Sequence, residues 1–258
     1  MRLIERTRYL ETLVDVMGTP DIKVITGIRR SDKSKLLEAL RDYILANVAD
    51  ANVIHVNYNL DDFEGIAEYH ALLNYVKDRY QPEVVNFLLI DEVQMCEGFE
   101  RAINSLHASE RYDIFITGSN AFLLSSDLAT LFTGRTFELE VFPFSFSEFC
   151  EYYGRTDVDD AFDDYALQGG MSGSYLYKNP VQRFKYIADV FRTLVMRDIV
   201  QRHNVRNKVM LDKIGDFMLD NVSNITSARS VANALGSGGS APRSEEHTSE
   251  LQSLVDIS

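Results

Sequence analysis

Scarcity is the first feature of this 258-residue chain: it has two cysteines, five prolines, and 26 lysines and arginines against 39 acidic residues. Cys96 and Cys150 stand far apart without metal-ligand spacing, which argues against a disulfide scaffold or a cysteine-built metal site and fits a reducing cytoplasm. No run is long and apolar enough to span a membrane. Met1 to Arg6 leads into a charged amphipathic pattern and not into an apolar core, so no secretory signal is expected. The formal charge of −13 excludes a chain that coats nucleic acid indiscriminately, because neutralising phosphates needs a net positive surface. His55, His70, His107 and His203 show no spacing suited to a metal or a catalytic triad. A guanine-reading Asn-Lys-x-Asp motif is also missing, since Met210 stands where Asn207-Lys208 would need its aspartate.

At 45% hydrophobic residues, the chain can bury a sizeable core. Its charge is unevenly spread. Asp157, Asp159, Asp160, Asp163 and Asp164 form an acidic run, while Lys178 to Lys213 carries nine basic residues against three aspartates. That basic face could meet DNA or an acidic partner, or it could pair with the acidic run or be solvated.

One further absence sits inside a motif. Lys23-Val24-Ile25-Thr26 reads as an apolar strand that feeds Gly27-Ile28-Arg29-Arg30-Ser31-Asp32-Lys33-Ser34, after which a helix begins. A phosphate-binding loop has glycine, four residues, glycine, lysine, then serine or threonine; here Asp32 replaces the second glycine. Backbone N–H groups of such a loop wrap the β-phosphate at a helix N-terminus. Lys33 is suited to reach the β- and γ-phosphates, and Ser34 to place its hydroxyl on magnesium. The Asp32 carboxylate is expected beside those phosphates. A like charge at about 4 Å costs roughly 1 kcal/mol in water-like surroundings and roughly 4 at an effective dielectric constant of 20. Arg29 and Arg30 could cap phosphates or pair with carboxylates further along.

Those carboxylates end a second apolar strand, Phe87-Leu88-Leu89-Ile90-Asp91-Glu92. Asp91 is placed to hold magnesium through water and Glu92 to polarise an attacking water; the simpler reading is a buried strand with an acidic solvent end. A third strand, Asp113 to Thr117, runs into Gly118-Ser119-Asn120, which puts the Asn120 amide where a γ-phosphate could be sensed. Three such strand ends in this order point to ATP with Mg2+ as the ligand.

Together these residues resemble a prokaryotic family of AAA-type P-loop ATPases that join an ATPase domain to a winged-helix segment and a nuclease-like C-terminal domain of unknown function. The resemblance rests on Gly27 to Arg30 with Lys33-Ser34, on Leu89-Ile90-Asp91-Glu92-Val93-Gln94, and on Thr117 to Asn120. Thr133-Gly134-Arg135 and Phe142-Pro143-Phe144-Ser145-Phe146-Ser147-Glu148-Phe149 extend it, and it covers roughly residues 1 to 236. It implies ATP hydrolysis in the cytoplasm. It also implies a γ-phosphate contact from Arg135, to a bound or a neighbouring nucleotide, where structural pairing is the alternative. DNA association is implied only through the winged-helix segment. The competing reading is a nucleotide-free binding module in which Asp32 fills the phosphate pocket.

The expected fold is α/β: a parallel sheet covered by helices on both faces, followed by helices leading into an incomplete winged helix. Residues 1–144 are assigned to the P-loop domain and 145–236 to the helical segment. Leu3, Leu10, Leu13, Val14 and Met17 mark an amphipathic first helix. Strands are expected over Val53 to Asn57 and Phe137 to Phe142. Helices are expected over Ser34 to about Ala49, Tyr69 to Tyr80, Pro180 to Arg202, Met210 to Leu219 and Ser227 to Leu235. Residues 237–258 read as a flexible tail. Within it, Arg243 to Ser253 resembles the translation of a sequencing adapter, so the tail is set apart from the fold. A winged helix cut short at that point would expose Val231, Ala232 and Leu235.

Overall fold

Five short apolar runs become strands, and every neighbouring pair is parallel. In the computed structural model these are β1 (Ile22–Thr26), β2 (Asn52–Asn57), β3 (Asn86–Asp91), β4 (Asp113–Thr117) and β5 (Thr136–Glu140), in the order β2-β3-β4-β1-β5. The structure describes residues 6–118, 132, 134–194, 199, 200, 205 and 207–236. Every residue of β1, β3 and β4 is buried, the pattern of central strands covered on both faces.

Side-chain alternation divides these strands between two cores. Ile22 and Val24 of β1, Leu88 and Ile90 of β3 and Ile114 and Ile116 of β4 pack on one face with Leu72, Val76, Ala102, Ile103 and Leu106. Those partners lie on α3 (Tyr69–Lys77) and α4 (Phe99–Ala108). Ile25, Phe87, Leu89 and Phe115 point to the other face, against Leu13 of α1 (Thr7–Asp15) and Leu36, Leu37, Leu40 and Ile44 of α2 (Lys33–Asn47). The expected layered α/β architecture is therefore present.

β5 ends at Glu140 and not at Phe142. Its register runs from Ile22↔Thr136 to Thr26↔Glu140, so the ladder stops where β1 bends into its loop, after a last bond from Val141 N to Thr26 O of 2.8 Å.

Three further helices follow: α5 (Phe146–Tyr153), α6 (Val158–Gln168) and α7 (Pro180–Leu194). Ser145 and Glu148 form a reciprocal capping box that starts α5, and Gly154 ends it at φ 66°. Phe144, Phe149 and Tyr175 centre a small aromatic core with Phe146, Tyr152 and Tyr165. Part of the acidic run on α6 is answered locally: Arg155 pairs with Asp157 at 2.6 Å and with Asp164 at 2.8 Å.

The chain divides into two compact units, Met1–Ala188 and Asp189–Ser258. The change at residue 144 is thus a change of element type; the aromatic core and α6 belong to the same unit as the sheet. In the second unit, α8 (Lys208–Asp220) and α9 (Ala228–Gly236) bury Leu211, Ile214 and Val231. The expected exposure of Val231 is corrected by its complete burial, at 0% exposed, while Ala232 and Leu235 are half-buried. Among the described residues no helix is long and apolar enough to cross a membrane.

Candidate functional site

The turn after β1 is held in a shape that its sequence alone does not suggest. Gly27 has φ 148°, and a Cβ there would be driven into the Val141 carbonyl oxygen and to 2.8 Å from Ser31 Oγ, so glycine is required. Arg30 and Asp32 both adopt left-handed backbone, at φ 65° and φ 64°. That explains why glycine suits position 32: the position needs αL geometry, which aspartate tolerates better than most side chains. α2 then begins at Lys33, with Ser34 half-buried in its first turn.

Four residues of this turn, Arg30, Ser31, Asp32 and Lys33, have definite anchors. Lys33 Nζ donates to the carbonyls of Gly27 and Ile28, both at 2.9 Å. Arg30 lays its guanidinium over the Tyr186 ring, 5.0 Å from its centroid. Ser31 O accepts from Arg6 Nη1 at 2.9 Å, while Ser31 Oγ is buried without a hydrogen-bond partner. Asp32 stands at the N-cap of α2 but makes no capping bond; its Oδ2 accepts from Ser172 Oγ at 2.6 Å. The sequence places this carboxylate beside the phosphates. The fold turns it to a 3₁₀ turn, Ser172–Leu176, 140 residues away.

Arg6 fixes the turn from behind. Its Nε and Nη2 donate to Glu148 at 2.7 and 3.2 Å, and its guanidinium lies over Tyr9 and Phe144. Burial would raise the Glu148 carboxyl, but the Arg6 guanidinium and the Ser145 bonds outweigh it and hold the group below its usual value of 4.5. A carboxyl lowered on folding contributes stability that is complete above the unfolded value and is lost as pH falls through the folded one. Glu148→Gln should therefore be less stable than the parent at pH 7, and the two urea midpoints should converge below pH 4.5. A constant gap down to pH 3 would show that the ionised carboxylate is not the source.

At the same edge of the sheet, β3 ends in Asp91. Thr117, the last residue of β4, donates a short hydrogen bond to Asp91 Oδ1 and accepts from Glu92 N at 3.0 Å. Asn59 Nδ2 lies 3.3 Å from Asp91 Oδ2. Glu92 is left-handed at φ 55°, and its Oε2 accepts a short bond from Gln94 Nε2. β4 lies between β1 and β3, so Thr117 stands in register with Ile25 of β1 while its hydroxyl bonds Asp91 of β3.

The carboxyl ends of β1 and β3 therefore bring together Gly27 to Ser34 and the Asp91-Glu92 pair. Arg135 is not among them. It immediately precedes β5, its carbonyl accepts from Ile22 N at 2.8 Å, and its side chain is exposed at the opposite edge of the sheet. A contact from Arg135 to a nucleotide held by its own chain is thus corrected by geometry: a parallel strand separates the two ends. Asn120 lies outside the described residues. Four supporting residues were absent from the sequence-derived site. Thr117 and Glu148 fall within motifs already noted, whereas Arg6 and Ser172 carry no local signal.

Chemically, the arrangement offers a helix N-terminus with a lysine beside it, and on a neighbouring strand end two carboxylates, that of Asp91 held by Thr117 and that of Glu92 by Gln94. That combination can hold a polyphosphate together with a divalent cation. Comparison with known proteins agrees at family level. The chain is 32% identical to an uncharacterized protein of Haemophilus influenzae, the alignment covering 91% of this chain and 60% of that protein. It is 23% identical to an uncharacterized protein of Methanocaldococcus jannaschii, covering 91% and 55% respectively. It thus spans little more than half the length of these relatives. AMPPCP-bound DnaA of Aquifex aeolicus is similar with a TM-score of 0.46 and 17% identity, over 98% of this chain and 87% of that one. Residues 159–256 match a domain of unknown function (DUF8612). Residues 19–150, just over half of the chain and including both halves of the site, match the model of an AAA domain, and the chain belongs to that family.

Proposed function

We propose that this chain binds ATP with a magnesium ion at the Gly27–Ser34 turn and hydrolyses the terminal phosphate. The observation that carries this reading is the convergence, at one edge of a parallel sheet, of the Lys33 turn after β1 and the Asp91-Glu92 pair after β3, tied by Thr117. The residues present fit the ligand. Gly27 leaves room for no side chain, and Ser31 keeps a buried hydroxyl without a partner. Lys33 and the first-turn N–H groups of α2 bind the phosphates, Ser34 and Asp91 hold the metal, and Glu92 takes the proton from water. The magnesium ion supplies charge neutralisation between the phosphate oxygens. Gln94 Nε2 holds one oxygen of the Glu92 carboxylate, Oε2, and leaves Oε1 to accept the proton. The competing nucleotide-free reading needs Asp32 in the anion site, and the Ser172 bond speaks against it.

Thermal unfolding with and without Mg-ATP tests the proposal. Ligand at about 100 times its dissociation constant should add roughly 2.7 kcal/mol to the parent protein. Lys33→Ala should lose that gain. Glu92→Gln should keep it while turnover falls by about 10²-fold or more, the range of a removed general base. Absence of nucleotide-dependent stabilisation in both the parent and Asp32→Gly would overturn the reading.

A further inference from the structure

An aspartate at a helix N-terminus normally folds its carboxylate onto the N–H groups of the second or third helical residue. These are the donors that a phosphate would use, so a capping Asp32 would block the anion site even before its charge repelled the ligand. Asp32 does not do this. It occupies the N-cap of α2 at φ 64° and ψ 25°, makes no capping bond, and gives its Oδ2 to Ser172 Oγ at 2.6 Å.

Ser172 is held firmly enough to impose that choice. It is itself buried at the start of the 3₁₀ turn Ser172–Leu176. Two residues before it, Gly170 O accepts from Phe144 N at 2.8 Å, and a Cβ on Gly170 would collide with the Phe144 carbonyl oxygen. Three residues after it, Tyr175 donates its hydroxyl to Gly169 O at 2.6 Å, and its ring sits 6.1 Å from Phe144 and 5.6 Å from Phe149. The same downstream stretch fastens Arg30 through Tyr186. The two non-glycine residues of the phosphate turn that adopt left-handed backbone, Arg30 and Asp32, are therefore both held from residues 172–186.

We infer that Ser172 is a positioning residue for nucleotide binding: its hydroxyl holds the Asp32 carboxylate away from the N-terminus of α2 and so makes aspartate compatible with a bound phosphate. This rests on the ATP-binding reading above. The dependence is specific to this pairing, because a glycine at position 32 has no carboxylate to restrain.

The test is a mutant cycle on the full chain, read as the dissociation constant of Mg-ATP from equilibrium titration and not as turnover. Ser172→Ala should weaken binding by about five-fold or more, the factor that a like charge at 4 Å produces even in water-like surroundings. Ser172→Thr, which retains the hydroxyl, should restore it. In the Asp32→Gly background the same Ser172→Ala change should alter affinity by less than about two-fold, the level at which distant sites add independently. Equal losses in both backgrounds would mean that Ser172 acts on the general fold, and no loss in either would mean that the bond does not govern the carboxylate. Both results overturn the inference. Failure of Asp32→Gly itself to bind Mg-ATP would instead strike the ATP-binding proposal, which keeps the two failures distinct.

Discussion

Gly27→Ala should destabilise the first unit by about 2–4 kcal/mol, combining backbone strain with forced overpacking, and should remove Mg-ATP-dependent stabilisation altogether. At φ 148° a Cβ meets the Val141 carbonyl, which is backbone and is fixed by the bond from Val141 N to Thr26 O at 2.8 Å. Ser31 Oγ, 2.8 Å from the added carbon, could rotate aside, but the Val141 carbonyl oxygen could not. The new methyl would therefore push the turn out of register with β5 or force Gly27 into another conformation, and either change displaces the carbonyl that Lys33 Nζ grips. Urea unfolding followed by circular dichroism, together with the nucleotide-induced shift in melting temperature, would measure both effects. A midpoint within about 0.5 kcal/mol of the parent, the usual range for an innocuous surface change, would show that the close approach at Val141 relaxes freely.

Elements set by local pattern were legible in the sequence. β1, β3 and β4 read correctly because strands buried on both faces are short continuous apolar runs, and the motifs fall at their carboxyl ends because a parallel sheet gathers those ends on one edge. α4 was not drawn from the sequence, although Phe99, Ala102, Ile103 and Leu106 carry helical spacing. The capping box of Ser145 and Glu148 was equally available as a serine followed three residues later by glutamate.

The site is a different matter. Its anchors are set by tertiary contacts between residues far apart in the chain: Arg6 with Glu148, Asp32 with Ser172, Asp91 with Thr117. No periodicity encodes such pairs. Asp32 shows the consequence most clearly. Read locally, a carboxylate in a phosphate turn is a repulsive charge. In the fold, the residue meets a backbone demand for left-handed geometry while a distant serine takes its charge elsewhere. Arg135 shows the converse: a glycine-arginine pair beside a strand suggests a phosphate contact or structural pairing, and only the strand's direction places it at the opposite edge of the sheet from Gly27 of the same chain.

Asp113→Ala should destabilise the first unit by about 3–5 kcal/mol without any direct contact with the nucleotide turn. Lys23 lies in β1, an interior strand, with its side chain fully buried, at 0% exposed, and its ammonium donates to Asp113 Oδ1 and Thr19 O, both at 2.6 Å. Asp113 Oδ2 accepts from Gly18 N at 2.8 Å, so one carboxylate closes the amino end of the sheet against the turn that follows α1. Removing it leaves a buried cation with one carbonyl and the face of Phe115 for company. The double change Lys23→Met with Asp113→Leu replaces both charges with apolar groups of similar reach, and its loss should be far smaller than that of Asp113→Ala, because a charge pair costs most when only half of it is removed. Both variants should keep their nucleotide-dependent thermal shift wherever they remain folded, since β1 separates the Lys23 end of the strand from the Gly27 end. Equal destabilisation by the single and double changes would mean that Asp113 acts through Gly18 alone, and that Lys23 tolerates burial without its partner.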